Sequence, residues 1–361
     1  MDLDAEHRRM VGWPDRRWLD LAGTEHPVVQ APMAGAGGVE LCVAAIAGGA
    51  LGSLPCAMLT PDRIRDQVGE VRARVSGPLN LNFFCHAMPE RSDDGRWRAV
   101  LKPYYDAFGI ADPPPPPLRL PFDAAACAMV EEVRPEVVSF HFGLPDDPLF
   151  DRAKASGALV ISSATTVEEA RWLEARGIDA IIAQGFEAGG HTGRFLGSDP
   201  AEAIGLLALL PQIVDAVAVP VIAAGGIADG RGIAAAFVLG AAAVQLGTAY
   251  LRCPESLLAD GAREQLGARP TVMTNLYSGG LARAVRGRLV DELGAVRAEA
   301  PPYPLAGAAS GPLLRAALER GDFAFMPTLA GQSAALARAM PATELTRSLA
   351  AEALAIIGSD A

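Results

Sequence analysis

The chain has 361 residues, with 31 lysines and arginines against 42 aspartates and glutamates, and its formal net charge is −11. This acidic balance, without a basic cluster, argues against a nucleic acid or an anionic membrane as partner. The five cysteines are scattered and form no C-x-x-C pair, so the sequence suggests neither a disulfide framework nor a zinc site and favours a cytoplasmic location.

Eight short apolar runs alternate with longer amphipathic segments, which is the pattern of β–α units in a parallel sheet. The runs span 28–33, 50–54, 79–84, 137–142, 159–163, 180–183, 219–224 and 243–247. Helical segments are predicted after most of them, at 39–47, 61–74, 166–176 and 230–239. Eight units in this length predict a (β/α)8 TIM-type barrel, and an open, doubly wound sheet is the alternative.

The regular spacing of the β–α units predicts that residues 1–253 form one domain, with an insertion near 86–122 over the barrel mouth. The insertion contains Tyr104, Tyr105 and a run of five prolines at 113–117, which favours extended surface structure. Residues 254–325 are predicted to form a smaller appended cap domain that binds substrate. Helices are predicted at 313–319, within that segment, and at 342–357, and residues 326–361 are predicted to pack back on the barrel.

Glycine and polar residues follow several predicted strands, at the end of a parallel barrel where active sites form. His191 lies in a glycine-rich loop after the sixth run, and imidazole titrates near neutral pH, so it is a candidate acid or base. The alternative interpretation is that His191 has no catalytic role and is a histidine of a glycine-rich turn, either solvated or hydrogen-bonded to a carbonyl. His141 follows the fourth run and would face the same pocket, although a packing or strand-capping role is equally open.

Two glycine turns follow the seventh and eighth runs, at Gly225-Gly226 and Gly247-Thr248. Backbone N–H groups and helix N-termini at these positions attract phosphate, and this is the usual phosphate site of such barrels. The sequence therefore predicts a phosphate-bearing cofactor. No cluster of carboxylates or histidines has metal-ligand spacing, so no metal is predicted.

Six segments resemble the nitronate monooxygenases, formerly called 2-nitropropane dioxygenases. They are QAPMAG (30–35), LNFFCH (81–86), VSFHFGLP (138–145), AQGFEAGGHTG (183–193), AGGIADG (224–230) and QLGT (245–248). The resemblance implies an FMN-dependent barrel with a smaller substrate domain that oxidises alkyl nitronates with O2 by a flavin semiquinone route, without a metal. The glycine-histidine segment is shared with related flavin barrels, which keeps an NAD(P)H-dependent quinone or enoyl-thioester reductase open as the alternative.

The resemblance also implies roles for single residues. It places FMN contacts at Met33, Asn82, Gln184, Gly189, Gly226, Gln245, Gly247 and Thr248, and the catalytic group at His191. The neighbouring Ala31, Pro32, Gly190 and Gly225 complete the predicted cofactor set. The predicted substrate contacts are His141, Tyr104, Tyr105, Ser278 and Tyr303.

The predicted partners are a small nitronate or nitroalkane and O2, with the chain as a monomer or homodimer. Two departures from the family affect the substrate side. An arginine common in the family is missing between Ser278 and Arg283, and Gly307 and Gly311 stand where many members have a tyrosine and a lysine. These changes predict a wider and less positive pocket mouth. A flavin-binding or phosphate-binding barrel without catalysis remains a third interpretation.

Overall fold

The computed structural model describes residues 12–90, 93–111, 118–197 and 199–358, so the proline run at 113–117 lies outside the described residues. Its centre is an eight-stranded parallel sheet. The strands are β1 (Val28–Gln30), β2 (Gly52–Pro55), β3 (Leu79–Phe84), β4 (Val137–His141), β5 (Leu159–Ala164), β6 (Ala180–Gln184), β8 (Val221–Ala224) and β9 (Ala243–Leu246), with the two-residue β7 (Gly190–His191) outside this sheet.

The sheet closes into a barrel. Its strand order is β1-β9-β8-β6-β5-β4-β3-β2, and Val29 pairs with Leu51 across the remaining gap. Leu51 N–H donates to Val28 O at 2.9 Å and Gln30 N–H donates to Leu51 O at 2.9 Å. The open, doubly wound alternative is therefore excluded, and the predicted barrel is confirmed.

The predicted first strand is too long, because pairing ends at Gln30. The chain then turns through Pro32, which has no N–H for a ladder, and Gly37 N–H bonds back to Met33 O at 2.6 Å. This early ending places Ala31 and Met33 in a loop at the barrel mouth. Two features of the sequence, Pro32 and the glycines after it, account for the difference.

Helices surround the barrel and continue into the rest of the chain. They are α1 (Arg17–Ala22), α2 (Val39–Ala47), α3 (Pro61–Arg74), α4 (Gly95–Phe108), α5 (Ala124–Val133), α6 (Asp147–Ala155), α7 (Val167–Glu174), α8 (Leu206–Val214), α9 (Gly230–Val238), α10 (Asp260–Arg263), α11 (Arg288–Leu293), α12 (Ala306–Glu319) and α13 (Ala342–Ile357). Side chains such as Thr60 and Asp146 accept from the first turns of α3 and α6 and so fix where these helices begin. Within the described part of the chain, no helix is long and apolar enough to cross a membrane.

The barrel strands bury both faces, with a period of two. In β6, Ile181 and Ala183 face the surrounding helices, whereas Ala180 and Ile182 belong to the interior cluster. Trp18 of α1 packs into the same interior cluster. Since α1 precedes β1, this tryptophan fills the barrel away from the carboxyl ends of the strands and leaves that end free for a site.

A second layer covers the carboxyl end of the barrel. β10 (Thr271–Thr274) pairs antiparallel with β11 (Ala282–Val285), and β11 pairs antiparallel with β7. Trp97 and Leu101 of α4 pack with Leu313 of α12 in a separate apolar cluster. The insertion is thus packed against the predicted cap segment, and not simply laid over the barrel mouth as the sequence predicts. The boundary at 253/254 stays a prediction.

The last part of the chain differs in detail from the prediction. α12 begins at Ala306, before the predicted start at 313, and Pro312 lies inside the helix. One long helix, α13, follows, and it packs against α9 and α2. Contact with α9 is close, because a Cβ added at Gly230 would lie 2.4 Å from Glu352 Cβ.

Candidate active site

One cavity of about 440 Å³ lies at the carboxyl end of the barrel, within the usual size range of small-molecule sites. His191 and His141 line it. So does every residue of the predicted cofactor set: Ala31, Pro32, Met33, Asn82, Gln184, Gly189, Gly190, Gly225, Gly226, Gln245, Gly247 and Thr248. The strand ends therefore bring residues that are distant in sequence into one wall.

The two glycine turns present unpaired backbone donors to this cavity. Among the described residues, no acceptor bonds the amide N–H groups of Gly225, Gly226, Gly247 and Thr248. Gly225 has φ +112° and Gly226 has φ +71°, backbone angles that favour glycine. Four converging N–H groups can bind the oxygens of a phosphate.

The helix N-terminus at α9 is not part of this donor set, contrary to the sequence prediction. Asp229 Oδ1 accepts from Arg231 N–H at 3.0 Å and from Gly232 N–H at 3.2 Å. Glu352 accepts from Gly230 N–H at 3.3 Å. The chain's own carboxylates thus take the positions that a phosphate would need.

The glycines around His191 have different reasons to be glycine. A Cβ added at Gly189 would lie 2.5 Å from Gly331 N, so this glycine lets two backbone segments of the protein meet. Gly190 has φ +80° and no neighbour within 4 Å of an added Cβ. A ligand can therefore approach the backbone at Gly190.

The amide side chains at the strand ends differ in whether their polar atoms already have hydrogen-bond partners. Gln245 Oε1 is buried and has no hydrogen-bond partner among the described residues. Asn82 Nδ2 donates to Ser139 Oγ at 3.0 Å. Gln184 is occupied at both ends, because Nε2 donates to His191 O at 3.0 Å and Oε1 accepts from Gly193 N–H at 2.6 Å. Gln184 therefore holds the loop of His191, while Gln245 has an acceptor to offer a ligand.

His191 lies where the barrel meets the three-stranded sheet of β10, β11 and β7. Its backbone pairs with Ala282 in β11, and its Nε2 lies 2.8 Å from Ser278 Oγ. Burial is the main reason that the pKa of His191 lies well below its ordinary value, and the positive charge of Arg119 is the second. The imidazole is consequently neutral at neutral pH.

His141 supports His191 from below. Its Nδ1 lies 2.8 Å from Ser163 Oγ, and its Nε2–H donates to His191 O at 3.2 Å. Burial lowers the pKa of His141 to about 4, so the ring is neutral and Nδ1 accepts from the serine. A Cβ added at Gly193 would lie 2.6 Å from His141 Cε1. With both nitrogens occupied, His141 holds the loop of His191, and because it also lines the cavity its contact with the substrate stays a prediction.

Aromatic rings form the wall above His191. The Tyr303 ring centroid lies 5.1 Å from that of His191, 5.3 Å from that of Phe142 and 4.7 Å from that of His86. The Tyr303 hydroxyl is buried beside Arg119, and no acceptor for its O–H lies among the described residues. Tyr303 and Ser278 therefore both adjoin His191, although neither is among the described residues that line the cavity, and their contact with the substrate stays a prediction.

Tyr104 and Tyr105 are placed elsewhere, and neither is among the described residues that line the cavity. The Tyr105 hydroxyl donates to Ala309 O, and its ring packs in the apolar cluster that contains Trp97 and Leu313. The Tyr104 ring packs 5.8 Å from Phe325, and burial raises the pKa of its hydroxyl to about 12. Both tyrosines lie on α4, which packs against α12 and so directs them away from the cavity. The prediction that they contact the substrate is therefore corrected.

Sequence reasoning missed two polar residues at this wall. Arg119 lines the cavity, and His86 Nε2–H donates to Arg119 O at 3.2 Å. His86 follows the third strand, so the strand-end rule could have found it. Arg119 follows the proline run and carries no local signal of its position. No group of three or more metal-ligating side chains occurs in the described segments.

Comparison with known proteins identifies the family. The nitronate monooxygenase family model matches residues 16–352. A nitronate monooxygenase of Pseudomonas aeruginosa is 42% identical, over 93% of this chain and 98% of that protein. A solved nitroalkane oxidase from Streptomyces ansochromogenes superimposes with a TM-score of 0.88 at 38% identity, over 95% of this chain and 99% of that one. FabK from Thermotoga maritima superimposes with a TM-score of 0.74 at 28% identity, over 95% and 97% of the two chains. This chain is an enzyme that belongs to the nitronate monooxygenase family.

Proposed function

We propose that the protein binds FMN and uses it to oxidise alkyl nitronates with O2. The observation that carries this proposal is the single cavity in which unpaired backbone N–H groups, an unpaired Gln245 oxygen and a neutral His191 face the same space. The site is concave and sits at the strand ends where such barrels bind phosphorylated cofactors. A catalytically silent barrel would not require the His191 arrangement.

The residues present fit FMN. The amides of Gly225, Gly226, Gly247 and Thr248 would bind the phosphate. Gln245 Oε1, which is buried without a donor, would accept from the N–H of the isoalloxazine edge. When bound, FMN supplies the electron-transfer chemistry that no side chain of this chain offers.

His191 would move the substrate proton. Ser278 Oγ donates to Gly280 O at 3.5 Å, so the hydrogen-bond network assigns His191 Nε2–H as donor to Ser278 Oγ. The other nitrogen, Nδ1, then carries the lone pair. A neutral nitroalkane would lose its α-proton to Nδ1, whereas a preformed nitronate arrives without that proton.

Absorbance and oxygen uptake test the proposal. After reconstitution with FMN and desalting, the protein should show the near-ultraviolet and blue bands of oxidised flavin. Propane 2-nitronate should reduce these bands without oxygen and should consume O2 in air. Loss of the bands on desalting contradicts the cofactor assignment. Rapid anaerobic bleaching by NADH or NADPH, with no response to the nitronate, would support the reductase alternative instead.

A further inference from the structure

Arg119 is a charged side chain that lines the cavity beside His191. We propose that Arg119 binds the two nitro-group oxygens of the substrate beside His191 and makes the enzyme select for anionic, nitronate-like ligands. The inference rests on the proposed function, because it names the chemistry that the same cavity recognises.

Arg119 is held at the cavity by contacts on both sides. His86 Nε2–H donates to its carbonyl oxygen at 3.2 Å, and the His86 ring meets the Tyr303 ring at 4.7 Å between centroids. Tyr303 in turn meets His191 at 5.1 Å. This chain of contacts places the Arg119 backbone on the same wall as the candidate base.

The Arg119 guanidinium has no acidic partner among the described residues, and its polar neighbour is the Tyr303 hydroxyl. No carboxylate forms an ion pair with it there, and no carbonyl accepts from it. Burial raises the pKa of the Tyr303 hydroxyl, and the charge of Arg119 and a hydrogen bond from its side chain partly oppose this. The Tyr303 O–H and the remaining Arg119 N–H groups have no acceptor among the described residues. Partly desolvated donors without acceptors are costly, and an anion in the cavity would satisfy both.

The shape of the group fits a nitronate. A guanidinium presents a planar fork of N–H donors that matches two oxygens on one atom, as in a carboxylate. A nitronate has the same planar arrangement and a full negative charge. The sequence predicts a less positive pocket mouth from Gly307 and Gly311, whereas Arg119 adds a positive side chain to the cavity lining itself.

The position also serves the proton-transfer step. When the α-carbon–hydrogen bond of a nitroalkane breaks, the proton goes to His191 Nδ1 and the electron pair moves onto the two nitro oxygens. Arg119 would stabilise that developing charge, which grows toward the transition state. Burial first, and this positive charge second, lower the pKa of His191 and keep the ring unprotonated and ready to accept the proton.

Binding of a charged and a neutral ligand of one shape tests the proposal in the FMN-loaded enzyme. Isobutyrate is the anionic probe and isobutyramide the neutral one, each titrated by calorimetry. We expect Arg119→Met to weaken isobutyrate binding by about 10- to 100-fold, the range for a hydrogen-bonded charge, and to leave isobutyramide unchanged. Arg315→Met is the matched control, because it removes an exposed arginine of α12 that does not line the cavity.

Arg119→Lys keeps the charge without the fork, and its affinity should lie between those of the wild type and Arg119→Met. The pH profile of nitroethane turnover gives a second measurement, since Arg119→Met should move the acidic limb upward by raising the pKa of His191. Unchanged isobutyrate affinity in both Arg119 variants would overturn the inference. If isobutyrate binds through Arg119 but no nitronate is oxidised, the proposed function fails and the anion site remains.

Discussion

His191 combines two properties that a general base needs at neutral pH: a neutral ring and a fixed orientation. Burial depresses its pKa, while Ser278 and the pairing with β11 hold the ring and the backbone. The base form is therefore present without a rise in pH. The rate should consequently be limited by the proton transfer itself and not by deprotonation of the histidine.

Replacement of His191 by asparagine tests this role. Asparagine keeps a polar group near Ser278 but cannot accept the proton, so turnover of neutral nitroethane should fall by about 100-fold or more. Turnover of preformed ethyl nitronate should fall less, because its proton is already gone. Steady-state kinetics with both substrates, at equal FMN occupancy, measure the difference. Equal losses on both would instead assign His191 to substrate binding.

Gly247 offers the cleaner test of the phosphate site. Gly226 is a poor choice, because its φ of +71° strains any side chain and an added Cβ would lie 3.3 Å from Glu187 Cβ. Gly247 has φ −105°, and its nearest neighbours to an added Cβ are Ala31 Cβ at 3.5 Å and Met33 Sδ at 3.6 Å, both residues of the cavity wall.

We therefore expect Gly247→Val to fold but to lose FMN, because the branched side chain enters the space beside the free amides. Absorbance after desalting measures FMN occupancy, and circular dichroism checks the fold. The matched control is Gly69→Val, since Gly69 lies in α3 with no neighbour within 4 Å of an added Cβ. Full FMN occupancy in Gly247→Val would contradict the assignment of the phosphate site.

The cavity residues at the strand ends could be predicted, but Arg119 and several of the roles could not. Position follows from the strand-end rule, which needs only the apolar runs and therefore finds Asn82, Gln184 and Gln245. A role depends on which partner a polar atom meets. Gln184 and His141 both bond the loop of His191, and nothing local in the sequence reveals these contacts.

At the level of elements, β7 connects the barrel to the cap. It has two residues, too few for a periodic signal, and its partner β11 lies far along the chain. Arg283, next to the paired Ala282, adds a second connection, because its Nε and Nη2 donate to Phe186 O at 3.1 and 2.8 Å. The position of His191 therefore depends on the cap segment as well as on the barrel.

Replacement of Arg283 by methionine tests this connection. Methionine can fill much of the space, but it removes two charge-assisted hydrogen bonds from a side chain that is only 2% exposed. We expect a loss of about 1.5–3 kcal/mol in unfolding free energy and faster hydrogen exchange in 186–193. Urea unfolding and exchange mass spectrometry measure both. Unchanged exchange in this loop would show that β7 pairing alone fixes His191.

For the whole molecule, the number and order of β–α units could be read from the sequence, because each strand is buried on both faces and forms a compact apolar run. Closure of the barrel could be expected from that number. The shared core of α4 and α12 could not, since it joins Trp97 to Leu313 across most of the chain. Long-range apolar contacts of this kind leave no local pattern.

Buried neutral histidines also shape the stability of the whole protein. The pKa of His141 is lowered to about 4, and those of His191 and His86 are lowered by burial as well. The unfolded chain binds protons at these groups near their ordinary pKa of about 6.5, so it binds more protons than the folded protein below that pH. Unfolding free energy should therefore fall as pH drops below about 6.5.

We expect His141 alone to lower the unfolding free energy by about 2 kcal/mol between about pH 7 and about pH 5. The loss accumulates over the roughly one and a half pH units below the ordinary histidine pKa of about 6.5, at about 1.4 kcal/mol per pH unit. Urea unfolding with excess FMN at both pH values measures this loss. In His141→Gln, which cannot take up the proton, the decline should be shallower by that amount, even if the variant is less stable at pH 7. An unchanged decline in His141→Gln would show that the folded protein protonates His141 as readily as the unfolded chain does.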